Sequence, residues 1–201
     1  GGQLLLNGSD GTFESTKMDL KGGMLINAST LSLGARNLLE VEAALQLTGA
    51  TVSLAQDASI IVGGVTQLRG INSVSTTASA FGPGSTAGFR SLVELVDASA
   101  QLTVTGSGKF WADSAVDMNG GTLNLNMDLN SGAFIFQGLV GQFFGGGQVN
   151  IAPGNVLDVR EGVLFLNLGG DMAIHNDGRL LVGGSPAGGG LLGTGTVAGT
   201  G

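Results

Sequence analysis

Along nearly the whole chain, apolar residues alternate with polar or small ones for about four to eight positions, and then a cluster of turn-forming residues breaks the pattern. Residues 122–130 show it most clearly: Leu123, Leu125, Met127 and Leu129 interleave with Thr122, Asn124, Asn126, Asp128 and Asn130. Alternation with period two is the signature of a strand with one buried face. The same pattern recurs in KMDL (17–20), MLIN (24–27), TLSL (30–33), TVSL (51–54), QLTV (101–104), VLDV (156–159) and RLLV (179–182) among others, and successive runs along the chain are mostly six to nine residues apart. The separators, among them KGG, TGA, TGSG, NGG and NDG, are turn chemistry. No 3.6-residue period persists over the roughly 10 residues a helix needs. LLEVEAALQL (38–47), rich in helix formers, still alternates at Leu39, Val41, Ala43, Leu45 and Leu47, and reads as two strands with a bend.

Many short strands joined by tiny turns fit a sandwich, a closed barrel or a parallel β-solenoid. Strands of about four residues are short for a sandwich. Turns rich in Gly and Asn tolerate left-handed corners. Aromatic and charged residues are few, at 5% and 11% of the chain, as suits small residues stacked in ladders. The reading is an all-β parallel β-helix of about eight short-strand coils, filling residues 1–201 as one domain. With three strands per coil, each coil takes roughly 20–25 residues, and at about 4.8 Å per coil the stack is roughly 40 Å long. Two stretches break the rhythm. Residues 70–90, long, small and polar with GPG inside, read as a loop excursion, with Phe81, Phe89 and Arg90 as contact candidates. Residues 137–147 read as an irregular Gly/Phe segment, where the neighbours Phe143 and Phe144 point to opposite faces unless the backbone bends.

Charge and residue usage narrow the function. The eight Lys and Arg are scattered singly and the net charge is −7, which argues against nucleic acid and against a polybasic membrane anchor. No apolar run approaches the roughly 20 residues that span a bilayer as a helix. Without cysteine and with one histidine, zinc sites and cysteine nucleophiles lack their parts, and a serine triad would have to use His175, with no G-x-S-x-G elbow in the sequence. No metal or other cofactor is expected. NGSDGTFE (7–14), with Asn7, Asp10 and Glu14, reads as a solvated turn. Carboxylates suited to polysaccharide chemistry are Asp113, Asp117 and Asp158, the last beside Arg160 and Glu161. An outward ion pair explains Asp158 and Arg160 equally, and Trp111 is the single Trp, with no Tyr for sugar stacking.

NDGRLLVGG (176–184) and GGGLLGTGTVAGTG (188–201) resemble the Gly/Thr-rich coils of bacterial autotransporter passengers and filamentous adhesins, and GGTLNLN and TGATVSLAQDASIIVGG share the style. The resemblance implies a secreted, right-handed β-helix on a bacterial surface and carries no catalytic motif. Neither end reads as a capping helix. The terminal coils therefore read as contacts, either with flanking coils of a longer chain or with further copies stacked head to tail. The interface candidates are Leu4, Leu5, Leu6, Leu191, Leu192 and Val197, with Phe143 and Phe144 as a further anchor. The expected function is a non-enzymatic extracellular fibre subunit or adhesin shaft. The alternatives are a polysaccharide-degrading enzyme, or a module binding glycans or host surfaces through 70–90.

Overall fold

A computed structural model describes residues 4–8, 10–13, 17–77, 84–113, 115–127, 133–136, 140–153, 155–159, 163–166, 172–182, 191–193 and 195–200. They contain 26 strands and no helix. Every third strand joins the same sheet, so the chain winds through three parallel sheets of nine, nine and eight strands, as a β-solenoid does. The first sheet contains Leu4–Asn7 and Met24–Asn27, the second Thr30–Leu33 and the third Leu38–Val41. Eight complete turns and two strands of a ninth are formed, close to the number expected from the strand spacing. Met24 pairs with Leu45 and Leu45 with Thr66, a regular advance of 21 residues per turn.

Period-two alternation becomes a core because three sheets turn the same face inward. One inward column of the first sheet runs Met24, Leu45, Thr66, Val93, Val116, Phe143, all buried. Each fully buried Leu, Ile, Val or Phe contributes roughly 1.5–3 kcal/mol of transfer free energy. In the third sheet, large and small residues trade places between turns. Ala87 pairs with Phe110 and Phe89 with Ala112, so each ring lies beside an alanine of an adjacent turn. The rings then follow one another, Phe89 to Phe110 at 4.9 Å and Phe110 to Phe134 at 4.9 Å.

Corners between the sheets need left-handed backbone. Gly8, Ala28, Gly49 and Gly70 stack at the corner between first and second sheets with φ of 65°, 46°, 55° and 63°. The N–H groups of Gly8, Ala28 and Gly49 hold the next turn, as where Gly49 donates to the Arg69 carbonyl at 3.0 Å. Buried asparagines brace this corner and the one between the second and third sheets. Asn72 accepts from the Ala50 N–H at 3.0 Å and donates to the Arg69 and Gly70 carbonyls at 3.0 and 3.1 Å. Asn155 accepts from the Met127 N–H and donates back to the Met127 carbonyl at 3.0 Å. Each satisfies backbone groups that would otherwise be buried without partners.

The two irregular stretches are largely regular coil. Within 70–90, Ile71–Thr76 and Thr86–Phe89 are strands of the second and third sheets, leaving 77–85 as the connection, of which 78–83 lie outside the described residues. The pattern was hidden because two inward positions of the first strand are polar, Asn72 and Thr76, and because TAGF is small. Within 137–147, Val140–Phe144 and Gly147–Ile151 are strands, joined by Gly145 and Gly146 at φ of 79° and 69°. LLEVEAALQL forms Leu38–Val41 and Leu45–Thr48, two strands with a bend.

Candidate functional site

The expected interface residues separate on inspection. Leu4 and Leu6 are half-buried against the core, while Leu5, the outward residue between them, is 56% exposed. Val197 is 42% exposed. Leu191 and Leu192 lie in a first-sheet strand, Leu191–Gly193, paired with Leu164 and Phe165, and their side chains are outside the described set.

Two aromatic candidates require correction. Phe143 is no surface anchor: it is fully buried, 5.2 Å from the Phe136 ring and 6.4 Å from Phe134. Phe144, its neighbour, faces outward and is half-buried, paired in register with Asp117. Phe89 is likewise a core ring rather than a loop contact. Both phenylalanines fall on the inward phase of strands that the sequence had left irregular. Arg90, one residue past its strand, is exposed at the corner and lines a shallow surface pocket with Glu40, Glu42 and Ile61. Phe81 lies outside the described residues.

The three carboxylate candidates are divided between two sheets. Asp117 ends a first-sheet strand, Ala115–Asp117, and Asp158 belongs to a third-sheet strand, Val156–Val159. Asp113 follows the third-sheet strand Lys109–Ala112 at the corner, and Arg160 and Glu161 lie outside the described residues. Asp117 stands next to Glu94 in register, and its Oδ1 is buried without a hydrogen-bond partner. Burial raises its pKa, Asn119 hydrogen bonds oppose that, and the Glu94 charge adds to the rise. Asp10 accepts from the Thr30 N–H at 3.2 Å, tying the turn that holds it to the next coil, and Glu14 is outside the described set. Among the described residues no group of three or more His, Cys, Asp or Glu is placed to hold a metal ion.

Two outward faces carry side-chain ladders. On the third sheet, Lys17 pairs with Glu40 at 2.8 Å, and Lys21 bridges Asp19 at 2.9 Å and Glu42 of the next coil. Farther along that sheet, the Trp111 indole covers Gly88, where any side chain would collide with it. On the first sheet, Gln46 donates to Gln67 at 3.3 Å and Gln67 to Glu94 at 2.8 Å.

The second sheet carries the most developed polar surface. Thr103, Asn124, Asn150 and His175 form one register column over four turns. Asn124 Nδ2 donates to Thr103 Oγ1 at 3.4 Å, and Asn150 Nδ2 to Asn124 Oδ1 at 2.7 Å. His175 Nε2 meets Asp177 Oδ2 at 3.1 Å, and Asp177 Oδ1 accepts the Thr200 N–H and hydroxyl, each at 3.1 Å. Those Thr200 hydrogen bonds, with a smaller contribution from His175, hold the Asp177 pKa below the usual carboxylate range. Beside this column the surface sinks into a groove of about 430 Å³, with Asn126, Ala152, Pro153 and Asp177 along its length. The alternation in TLNLNM put Asn124 and Asn126 on one face. Only the register shows that Asn150 and His175, 26 and 51 residues beyond Asn124, continue that column.

The fold and these surfaces define the chain as a three-sided parallel β-solenoid with laddered outer faces. No protein-family model, curated protein or solved structure matches it.

Proposed function

We propose that the chain is a non-enzymatic structural segment of an extracellular bacterial surface protein, a stiff shaft in a fibre or adhesin. The observation that carries this reading is the unbroken parallel pairing, which runs from Leu4–Asn7 to Leu191–Gly193 in the first sheet without a skipped turn. Each coil contacts chiefly its neighbours, so length and stiffness grow by repetition. The side-chain ladders reinforce the same axis from outside, and the Gly/Thr-rich coils resemble those of autotransporter passengers. The partners proposed for the outermost coils are flanking coils of a longer chain or a second copy stacked head to tail.

Electron microscopy of the purified chain across a concentration series tests this. Rods about 40 Å long, joining into filaments with that axial repeat, support stacking between copies. Rods that stay separate at every concentration shift the partner to flanking coils. Globular particles without an axis, or release of sugars from a polysaccharide by the pure chain, would sink the shaft reading.

A further inference from the structure

The groove on the second sheet differs from the pockets on the other two faces in its chemistry, since its lining carries amides, an imidazole and a proline but no Lys or Arg among the described residues. Its floor is a ladder of amides locked against one another, and Gln148 Nε2 adds a hydrogen bond to Asn150 Oδ1 at 2.6 Å. Asn124 and Asn150 are half-buried, while Asn126 and His175 are exposed. Pro153, exposed on the turn that follows Gly147–Ile151, supplies an apolar edge.

We propose that this groove binds a neutral, extended, β-linked polysaccharide laid along the solenoid axis, one sugar ring per coil. Asn124 and Asn150 each use one N–H and one oxygen lone pair within the ladder, which leaves a second N–H and a second lone pair, held at fixed orientation, to match two neighbouring hydroxyls of a sugar. The column repeats at the coil spacing of about 4.8 Å, close to the advance of one ring in an extended β-linked chain. Pro153 and Ala152 offer C–H surface to the apolar face of a ring. The polymer is neutral because no Lys or Arg is among the described residues that line the groove and the Asp177 carboxylate stands in it. A peptide is disfavoured: the groove lies on a sheet face whose backbone is already paired, whereas peptides add to open edges or fill apolar side-chain pockets. Single-site affinity is expected near 1 mM, raised by repetition where several copies share one fibre.

The test is a titration of the isotope-labelled full chain, followed by NMR of the Asn and Gln side-chain amides. The probes are hexasaccharides of β-1,4-glucan, β-1,4-mannan and β-1,3-glucan, with a galacturonic acid hexamer and an Ala-Ser hexapeptide as the competing classes. The expected result is saturable shifts at Asn124, Asn126 and Asn150 with at least one neutral sugar, and none at Gln46 or Gln67. Asn124→Ala combined with Asn150→Ala should weaken binding about tenfold or more. Asn126→Ala, at an exposed position outside the ladder, should weaken it about threefold with an unchanged melting temperature. The proposal is overturned if no neutral hexasaccharide shifts these amides up to about 10 mM. Tighter binding of the acidic hexamer or the peptide, or binding indifferent to Asn126→Ala and to the double variant, would overturn it equally.

Discussion

Replacing Phe110 by Ala tests whether the core is the stacked column described above. The Phe110 ring is fully buried, between Phe89 and Phe134 at 4.9 Å each. Truncating a buried Phe costs about 3–5 kcal/mol, and the upper half applies where the site cannot collapse. Collapse is blocked here because the flanking position in the same column is already Ala87, which has no side chain long enough to fill the space. Two ring–ring contacts are lost as well, each worth about 0.5–1.5 kcal/mol and partly included in the truncation figure. A loss of about 4 kcal/mol follows, which moves a urea midpoint down by about 1.3 M for a slope near 3 kcal/mol/M. In a solenoid, a weak coil also uncouples the coils on either side. Amide exchange should therefore accelerate around Thr86–Phe89 and Ala133–Phe136 before it does at Met24–Asn27. A midpoint shift corresponding to less than about 1.5 kcal/mol would show that this ring stack is not a packed element of the core.

Three further outcomes are expected. Thr66→Val should stabilise the chain by about 1 kcal/mol in urea denaturation, because the buried Thr66 hydroxyl has no hydrogen-bond partner between Leu45 and Val93; destabilisation would mean that the hydroxyl is satisfied. Asp117, with its pKa raised by burial and by Glu94, disfavours folding when ionised, so its penalty is greatest above the folded pKa and fades as the pH falls through it. Asp117→Asn should stabilise the chain at pH 7 by about 0.5–1 kcal/mol and flatten that part of the stability profile; an unchanged profile would contradict the assignment. Asp177 behaves oppositely: its pKa is depressed, so its contribution is present at neutral pH and is lost as the pH falls through the folded value. The protection factor of the Thr200 amide, relative to its intrinsic exchange rate, should fall under acid and in Asp177→Asn at neutral pH, and equal protection in variant and parent would refute the Asp177–Thr200 contact.

Period-two alternation in runs such as TLNLNM and TVSL, broken by Gly and Asn, gave away strands and corners, and the shortness of the strands with the scarcity of aromatic and charged residues favoured the solenoid of about eight coils that the structure shows. That information is local, since a strand's inward face and a corner's left-handed residue are properties of adjacent positions. It failed where a local rule was traded for a tertiary one. INSVST looked like loop because Asn72 is polar, yet Asn72 is inward and answers the Ala50 N–H and two carbonyls at the corner. QFF left open which Phe faced in. The pairing of Val116 with Phe143 and of Asp117 with Phe144 decided it, burying the first and placing the second over a carboxylate.

The outer surfaces mark the boundary most clearly. The sequence by itself determined that Asn124 and Asn126 share a polar face, because two residues on one strand separated by one position must. Only the tertiary structure set Asn150 and His175 in the column with Asn124, and Glu94 beside Asp117. The number of residues between successive strands varies from coil to coil, so which side chains become neighbours depends on how each corner closes. Periodicity along one strand does not contain that.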